Sequence, residues 1–188
     1  MDVANRRAAC RSGHITNRKN MNLLVIRHGI AAEREEFAKS GKDDGLRPLT
    51  REGRRNMSRA AKGLRRIVPK IDVLAASPLT RAVQTADIVA EAFPKPDVVR
   101  LAALSPGAAP AALLDWLRAR PDGATVALVG HEPHLGTFVC WMLTGLQESF
   151  FPMKKGGACM LEVSDPLRAG RARLLWAMKP SQLRKLKG

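Results

Sequence analysis

Apolar and polar positions along this chain fall into short unbroken runs that alternate with stretches of helical spacing. Leu23 to Ile26 is apolar without a break, and Arg27, His28 and Gly29 follow at once. A run of that kind ending abruptly in polar residues is the pattern of a buried parallel strand at its carboxyl end. Ile71 to Ser77, Val98 to Leu101 and Ala124 to Val129 are further short runs that predict strands. Ala158 to Val163 and Leu174 to Met178 predict two last strands, at an edge or antiparallel.

Helical periodicity fills the spaces between them. A short helix is expected from Glu33 to Lys39, and Ser40 to Gly45 is a loop. Thr50 is a suitable N-cap for a helix to about Val68, with Met57, Ala60, Ala61, Leu64 and Ile67 at helical spacing and Pro69 as its stop. Pro78 to Phe93 is a second helix, with Pro78 in its first turn. Ala108 to Arg120 is a third, carrying Leu113, Leu114, Trp116 and Leu117 inward. His134 to Thr144 is a fourth, and a short helix starts at Ser181. Strand and helix alternate almost throughout, which predicts a three-layer α/β/α sandwich around a mainly parallel, doubly wound sheet.

Three predicted strands end in polar clusters. The first ends in Arg27-His28-Gly29, the second in Ser77-Pro78-Leu79-Thr80-Arg81 with Gln84 and Thr85 beyond, and the fourth in Gly130-His131-Glu132. In a parallel sheet all three meet at one edge, where open α/β sheets bind their ligands. Two arginines and two histidines around one spot call for an anion between them. Phosphate fits: Arg27 and Arg81 supply planar bidentate donors, and His131, when protonated, supplies a third positive one. His28 can attack phosphorus through one ring nitrogen while the other donates to a carbonyl. The two arginines are expected to lower its pKa and keep it neutral and nucleophilic. Gly29 allows a sharp turn and close approach to the ligand. No metal or other cofactor is required.

Length and charge narrow the picture. The chain has 188 residues, a size for one domain. No apolar run approaches the ~18 residues of a membrane span. Cys10, Cys140 and Cys159 are odd in number and widely spaced, giving neither a disulfide framework nor a zinc spacing, so a reducing, cytoplasmic setting is expected. The formal net charge is +15, gathered in part at the ends: Met1 to Asn20 has five basic residues against Asp2, and Arg168 to Gly188 has seven and no acid. Such charge attracts polyanions, but the tails lack aromatics for base stacking, so solvated tails are expected rather than nucleic-acid binding. Residues 1–20 have no apolar periodicity and are expected to be a dispensable, disordered basic extension, with Met21 a candidate start. Residues 21–188 then form the domain.

These motifs carry a resemblance. RHG at 27–29, RPLT at 47–50 with Glu52-Gly53, SPLTRAVQTA at 77–86 and VGHEPHLG at 129–136 resemble the histidine phosphatase superfamily in order and spacing. The short chain, Lys154-Lys155-Gly156-Gly157 and Trp176 with Lys179-Pro180 are similar to its SixA-type branch, the small phosphohistidine phosphatases. The resemblance implies a phosphoglycerate mutase-like fold, His28 as phosphorylated nucleophile, and a phosphate pocket of Arg27, Arg81 and His131. It also implies a phosphohistidine-bearing partner, such as a histidine-containing phosphotransfer protein. Mutase-like members carry an acidic proton donor after the third strand, but Leu101 to Gly107 holds no carboxylate here. An imidazole can leave phosphorus already protonated, so the missing acid favours phosphohistidine or another P–N substrate over a sugar phosphate. Glu132 is the nearest alternative donor, and surrounding cations are expected to hold it ionised. A general phosphomonoesterase using Glu132 and a non-catalytic phosphoprotein-binding module are the competing readings.

Overall fold

The computed structural model describes residues 20–186, and the expected basic extension lies, Asn20 aside, outside them. Six strands form one sheet: β1 (Met21–Arg27), β2 (Val73–Ala76), β3 (Asp97–Arg100), β4 (Thr125–Gly130), β5 (Ala158–Val163) and β6 (Ala172–Met178). Their order is β3-β2-β4-β1-β5-β6. The first four are mutually parallel, while β5 runs antiparallel to β1 and β6 antiparallel to β5. The mainly parallel sheet and the antiparallel end strands agree with the sequence pattern.

Six helices accompany the sheet: α1 (Arg34–Ala38), α2 (Arg51–Ile67), α3 (Thr80–Ala90), α4 (Pro110–Arg118), α5 (His134–Thr144) and α6 (Pro180–Leu183). Alternate side chains of each central strand feed two cores, as strand geometry requires. Leu23, Val25, Ala75, Val126 and Leu128 pack with Leu113, Leu117, Leu135 and Phe138 of α4 and α5. Leu24, Ile26, Leu74, Ala127 and Val129 pack on the other face with Met57 and Leu64 of α2, Val89 of α3 and Leu183 of α6. Burying a side chain of this size fully contributes about 1.5–3 kcal/mol, so these two layers hold the sheet edge in place.

The structure departs from the sequence pattern in two informative places. The helix expected from Pro78 starts at Thr80, because Ser77, Pro78 and Leu79 continue as a bend past β2, with the Ser77 amide still bonded to Val129. Trp116 is only partly buried at the core margin, with the Arg120 guanidinium stacked 4.4 Å from its ring centroid. Thr50 caps α2 as expected, its Oγ1 accepting from the Gly53 amide at 2.8 Å. Cys140 and Cys159 are buried free thiols. No helix among the described residues is long and apolar enough to cross a membrane.

Met21 is buried and already paired with Val163, so the domain's first strand starts there. A chain lacking residues 1–20 is therefore expected to melt and turn over like the full chain. A drop of several degrees in melting temperature would mean that the extension packs on the domain.

Candidate active site

Strand register brings the polar clusters together. Arg27 stands opposite Gly130, and Ala76 opposite Val129, at the carboxyl edge of the sheet. β4 lies between β1 and β2, so His28, His131 and Ser77 emerge side by side. The His28 amide donates to the Gly130 carbonyl at 3.0 Å. The His28 and His131 rings are 5.0 Å apart between centroids. Both histidines and Arg81 are buried, and Arg27 is partly buried.

The local bonding of His28 fixes its chemistry. Nδ1 lies 2.7 Å from the Gly29 carbonyl. A carbonyl only accepts, so Nδ1 carries the proton and Nε2 holds a free lone pair. Gly29 is fixed in turn, its amide donating to Thr85 Oγ1 at 3.1 Å, and Thr85 Oγ1 donating to the Arg81 carbonyl at 2.7 Å. Gly29 thus orients the His28 ring with its carbonyl, while its amide is taken by Thr85. Burial above all, then Arg81 and Arg27, pushes the His28 pKa down to about 4.

His131 sits deeper in the same balance. Burial first, then His28 and Arg81, pushes its pKa down to about 3. Its Nε2 pairs with Ser77 Oγ at 2.8 Å. The protonated third donor considered from sequence is thus replaced by a neutral imidazole, because desolvation and the neighbouring cations both disfavour the charged ring. For both histidines burial is a larger cause than the arginines, whose lowering effect on His28 the sequence anticipated.

The arginines are held from behind. Arg27 Nη1 donates to the Met153 carbonyl at 2.6 Å. Arg81 Nη1 donates to the Asp44 carbonyl at 3.0 Å and lies 3.2 Å from Asp44 Oδ2. Asp44 also takes Arg47 Nε at 2.8 Å, and that bond is the main cause holding its carboxyl below the usual range. Of the buried side-chain nitrogens without a hydrogen-bond partner among the described residues, three belong to this group: Arg27 Nε, Arg81 Nε and His131 Nδ1. Buried donors without acceptors are rare in proteins, and the oxygens of an anion are what this set accommodates.

Glu132 departs from expectation. Its Oε1 accepts from the Met153 amide at 3.1 Å, and the Gly136 amide also faces its carboxylate. Burial, the largest cause, raises its pKa, outweighing Arg27 and both amides, so the cationic surroundings do not dominate it. Glu132 and Arg27 therefore grip the two backbone groups of the same residue, Met153. Asp44 and the Met153 backbone were missed from sequence, the one inside a polar loop and the other with no side-chain signal. Lys155, cited only for its likeness to the SixA type, stands close enough to His28 to help lower its pKa. Among the described residues no group of three or more His, Cys, Asp or Glu is gathered as a metal site would need.

These depressed values set a pH dependence. Activity is expected to hold from neutrality to well below the ordinary histidine range, falling only as pH nears about 4. A pH–rate profile corrected for spontaneous hydrolysis reads this; a midpoint near the ordinary 6.5 would mean that His28 is solvated. Stability follows the same sign: the unfolded chain binds more protons between about 4 and 6.5, so stability rises with pH through that window and is lost on acidification.

Comparison with known proteins places the sequence and the fold. Residues 23–105 match the model of branch 1 of the histidine phosphatase superfamily. An uncharacterized protein of Picosynechococcus sp. is 37% identical over 159 residues, covering 82% of this chain and 88% of the relative. The solved structure of the protein histidine phosphatase SixA complexed with tungstate superposes with a TM-score of 0.74 at 24% identity, covering 87% of this chain and 99% of that one. A phosphoglycerate mutase from Plasmodium falciparum superposes with a TM-score of 0.62 at 20% identity, over 84% and 90% of the two chains.

Proposed function

Because this chain belongs to the histidine phosphatase superfamily, we propose that it is a metal-independent phosphatase acting on protein phosphohistidine through a phosphorylated His28. The observation that carries the reading is the bond from His28 Nδ1 to the Gly29 carbonyl, which leaves Nε2 as a neutral nucleophile beside Arg27, Arg81 and His131.

The steps balance simply. His28 Nε2 attacks phosphorus, and the N–P bond of the substrate phosphohistidine breaks as the N–P bond to His28 forms. The substrate imidazole leaves with its own proton. Water then attacks phospho-His28, releasing inorganic phosphate and restoring the neutral ring. Arg27 and Arg81 remain cations despite burial and neutralise the transferring group, pre-placed as transition-state stabilisation requires. The structural resemblance to a SixA phosphatase bound to tungstate, an oxyanion of phosphate-like shape, supports the same ligand class.

The deciding experiment compares hydrolysis of phosphohistidine protein, free phosphohistidine and alkyl phosphate esters, with and without EDTA. Preference for phosphohistidine, unchanged by EDTA, is the expected result. A wide preference for alkyl esters would promote the phosphomonoesterase reading.

One observation favours that second reading: burial raises the Glu132 carboxyl pKa, as a general acid needs. Its oxygens, however, are engaged by the Met153 and Gly136 amides. Glu132→Gln keeps the size and one acceptor oxygen, and removes the charge and the titratable proton. It is expected to slow phosphohistidine and alkyl esters equally and by less than about tenfold, below the range of acid catalysis. Glu132→Ala, which releases Met153 and with it Arg27, is expected to cost more. Selective loss of alkyl ester hydrolysis in Glu132→Gln would make Glu132 the proton donor.

A further inference from the structure

The solvent face of α2 carries a feature that phosphoryl transfer does not use. Arg51, Arg55, Arg59, Lys62 and Arg66 are all exposed, spaced by four, four, three and four residues. That spacing keeps them on one side of a helix. The opposite side holds Gly53, Met57, Ala60, Ala61 and Leu64 in the core. At 1.5 Å per residue the cations form a straight stripe of roughly 22 Å. No carboxylate among the described residues pairs with any of the five. The helix's lone acid, Glu52, accepts instead from Asn56 Nδ2 at 3.1 Å.

This arrangement works against the free helix. Like charges at i,i+4 repel, and Arg51 and Arg54 lie in the first turn, at the positive end of the helix dipole. A partner that brings negative charge relieves both.

The stripe starts at the catalytic edge. The Thr50 amide donates to the Ile30 carbonyl at 3.0 Å, two residues past His28. Gly53 lets α2 press on that same carbonyl, which any side chain there would strike. Gly29, Asn56, Lys155 and Arg184 line one small cleft between this helix end and the site.

We propose that α2 is the docking surface for the protein substrate, and that it takes an acidic helix lying next to the phosphohistidine. The inference rests on the phosphohistidine reading above. A helix with carboxylates at the same spacing matches the stripe along its length, since both helices rise equally per residue. Arginine forks suit carboxylates as bidentate partners. The stripe carries no aromatic residue on which a nucleic-acid base could stack. Whatever occupies it is delivered to His28, and a protein phosphohistidine is what His28 dephosphorylates.

The test uses the full chain, its quadruple variant R55Q/R59Q/K62Q/R66Q, and synthetic helical peptides with glutamates at the stripe's spacing or glutamines in their place. A thermal melt confirms that the variant, altered only at exposed positions, is folded. In the binding arm, wild type is expected to bind the labelled, unphosphorylated glutamate peptide with steep salt dependence, and the variant about tenfold or more weaker. In the turnover arm, one phosphohistidine is added to each peptide. Wild type is expected to favour the glutamate peptide about tenfold in kcat/KM, the variant to show no preference, and both to hydrolyse free phosphohistidine equally.

Undiminished binding or preference in the variant overturns the proposal, as does failure of wild type to bind the glutamate peptide. Tighter, stripe-dependent binding of duplex DNA at physiological salt overturns it in favour of nucleic acid. If wild type hydrolyses no phosphohistidine probe, the chemical reading fails, while the binding arm still decides the surface.

Discussion

His28→Ala is expected to remove turnover altogether, by at least about 10⁴-fold, with the fold intact. The methyl group that remains cannot attack phosphorus, and no neighbour can replace it: His131 Nε2 is bonded to Ser77, and the ring centroid lies 5.0 Å away. The fold should survive because His28 stands past the end of β1 and its backbone amide still bonds to Gly130. Rapid quench of wild-type enzyme with labelled substrate is expected to trap phosphate on His28 in a linkage stable to base and labile to acid. Label on a serine or cysteine would end the mechanism. The variant serves a second purpose, since a pocket that keeps its arginines should still bind phosphohistidine without consuming it. Loss of binding along with turnover would mean that the imidazole organises the pocket as well as attacking.

How much of this was visible beforehand follows from where each signal resides. Arg27, His28, Arg81 and His131 were legible because each closely follows an apolar run, and a parallel sheet carries the ends of such runs to one edge. The cap at Thr50 and the termination of α2 were legible for local reasons, as hydroxyl and proline chemistry acts within a few residues. Asp44 was not: its partner Arg81 lies thirty-seven positions on, and a loop rich in Gly, Lys and Asp reads the same whether or not it folds back. Met153 acts through its backbone amide and carbonyl, which every residue has. The direction in which burial shifts Glu132 and the depth of the shift at His131 were not legible, because sequence displays neighbouring charges but not the extent of burial. In this pocket desolvation is the larger cause for each.

Arg81→Ala is expected to cut kcat/KM by about 10²–10³, the usual worth of one pre-placed donor on developing charge. Arg27→Ala is expected to fall in the same range. The two differ in what they leave behind. Arg27 is bonded to a neutral carbonyl, that of Met153, and the Glu132 carboxylate acts on it through charge without an ion pair between them, so its loss leaves no carboxylate directly stripped of a bonded partner. Arg81 is backed by a carboxylate, that of Asp44 with Oδ2 3.2 Å away, so its loss also leaves a negative charge behind the phosphate. Part of the Arg81→Ala loss is therefore repulsion, and Asp44→Asn in the same chain is expected to recover some of it. Asp44→Asn alone is expected to reduce activity, since it loosens Arg81. Opposite signs in the two backgrounds constitute a coupling that a double-mutant cycle measures directly. Arg81→Lys keeps the charge but loses the fork, and is expected to fall between wild type and alanine. An Arg81→Ala enzyme working near the wild-type rate would remove Arg81 from the phosphate pocket. Additive effects of the two substitutions would leave Arg81 in the pocket but relieve Asp44 of any electrostatic part in it.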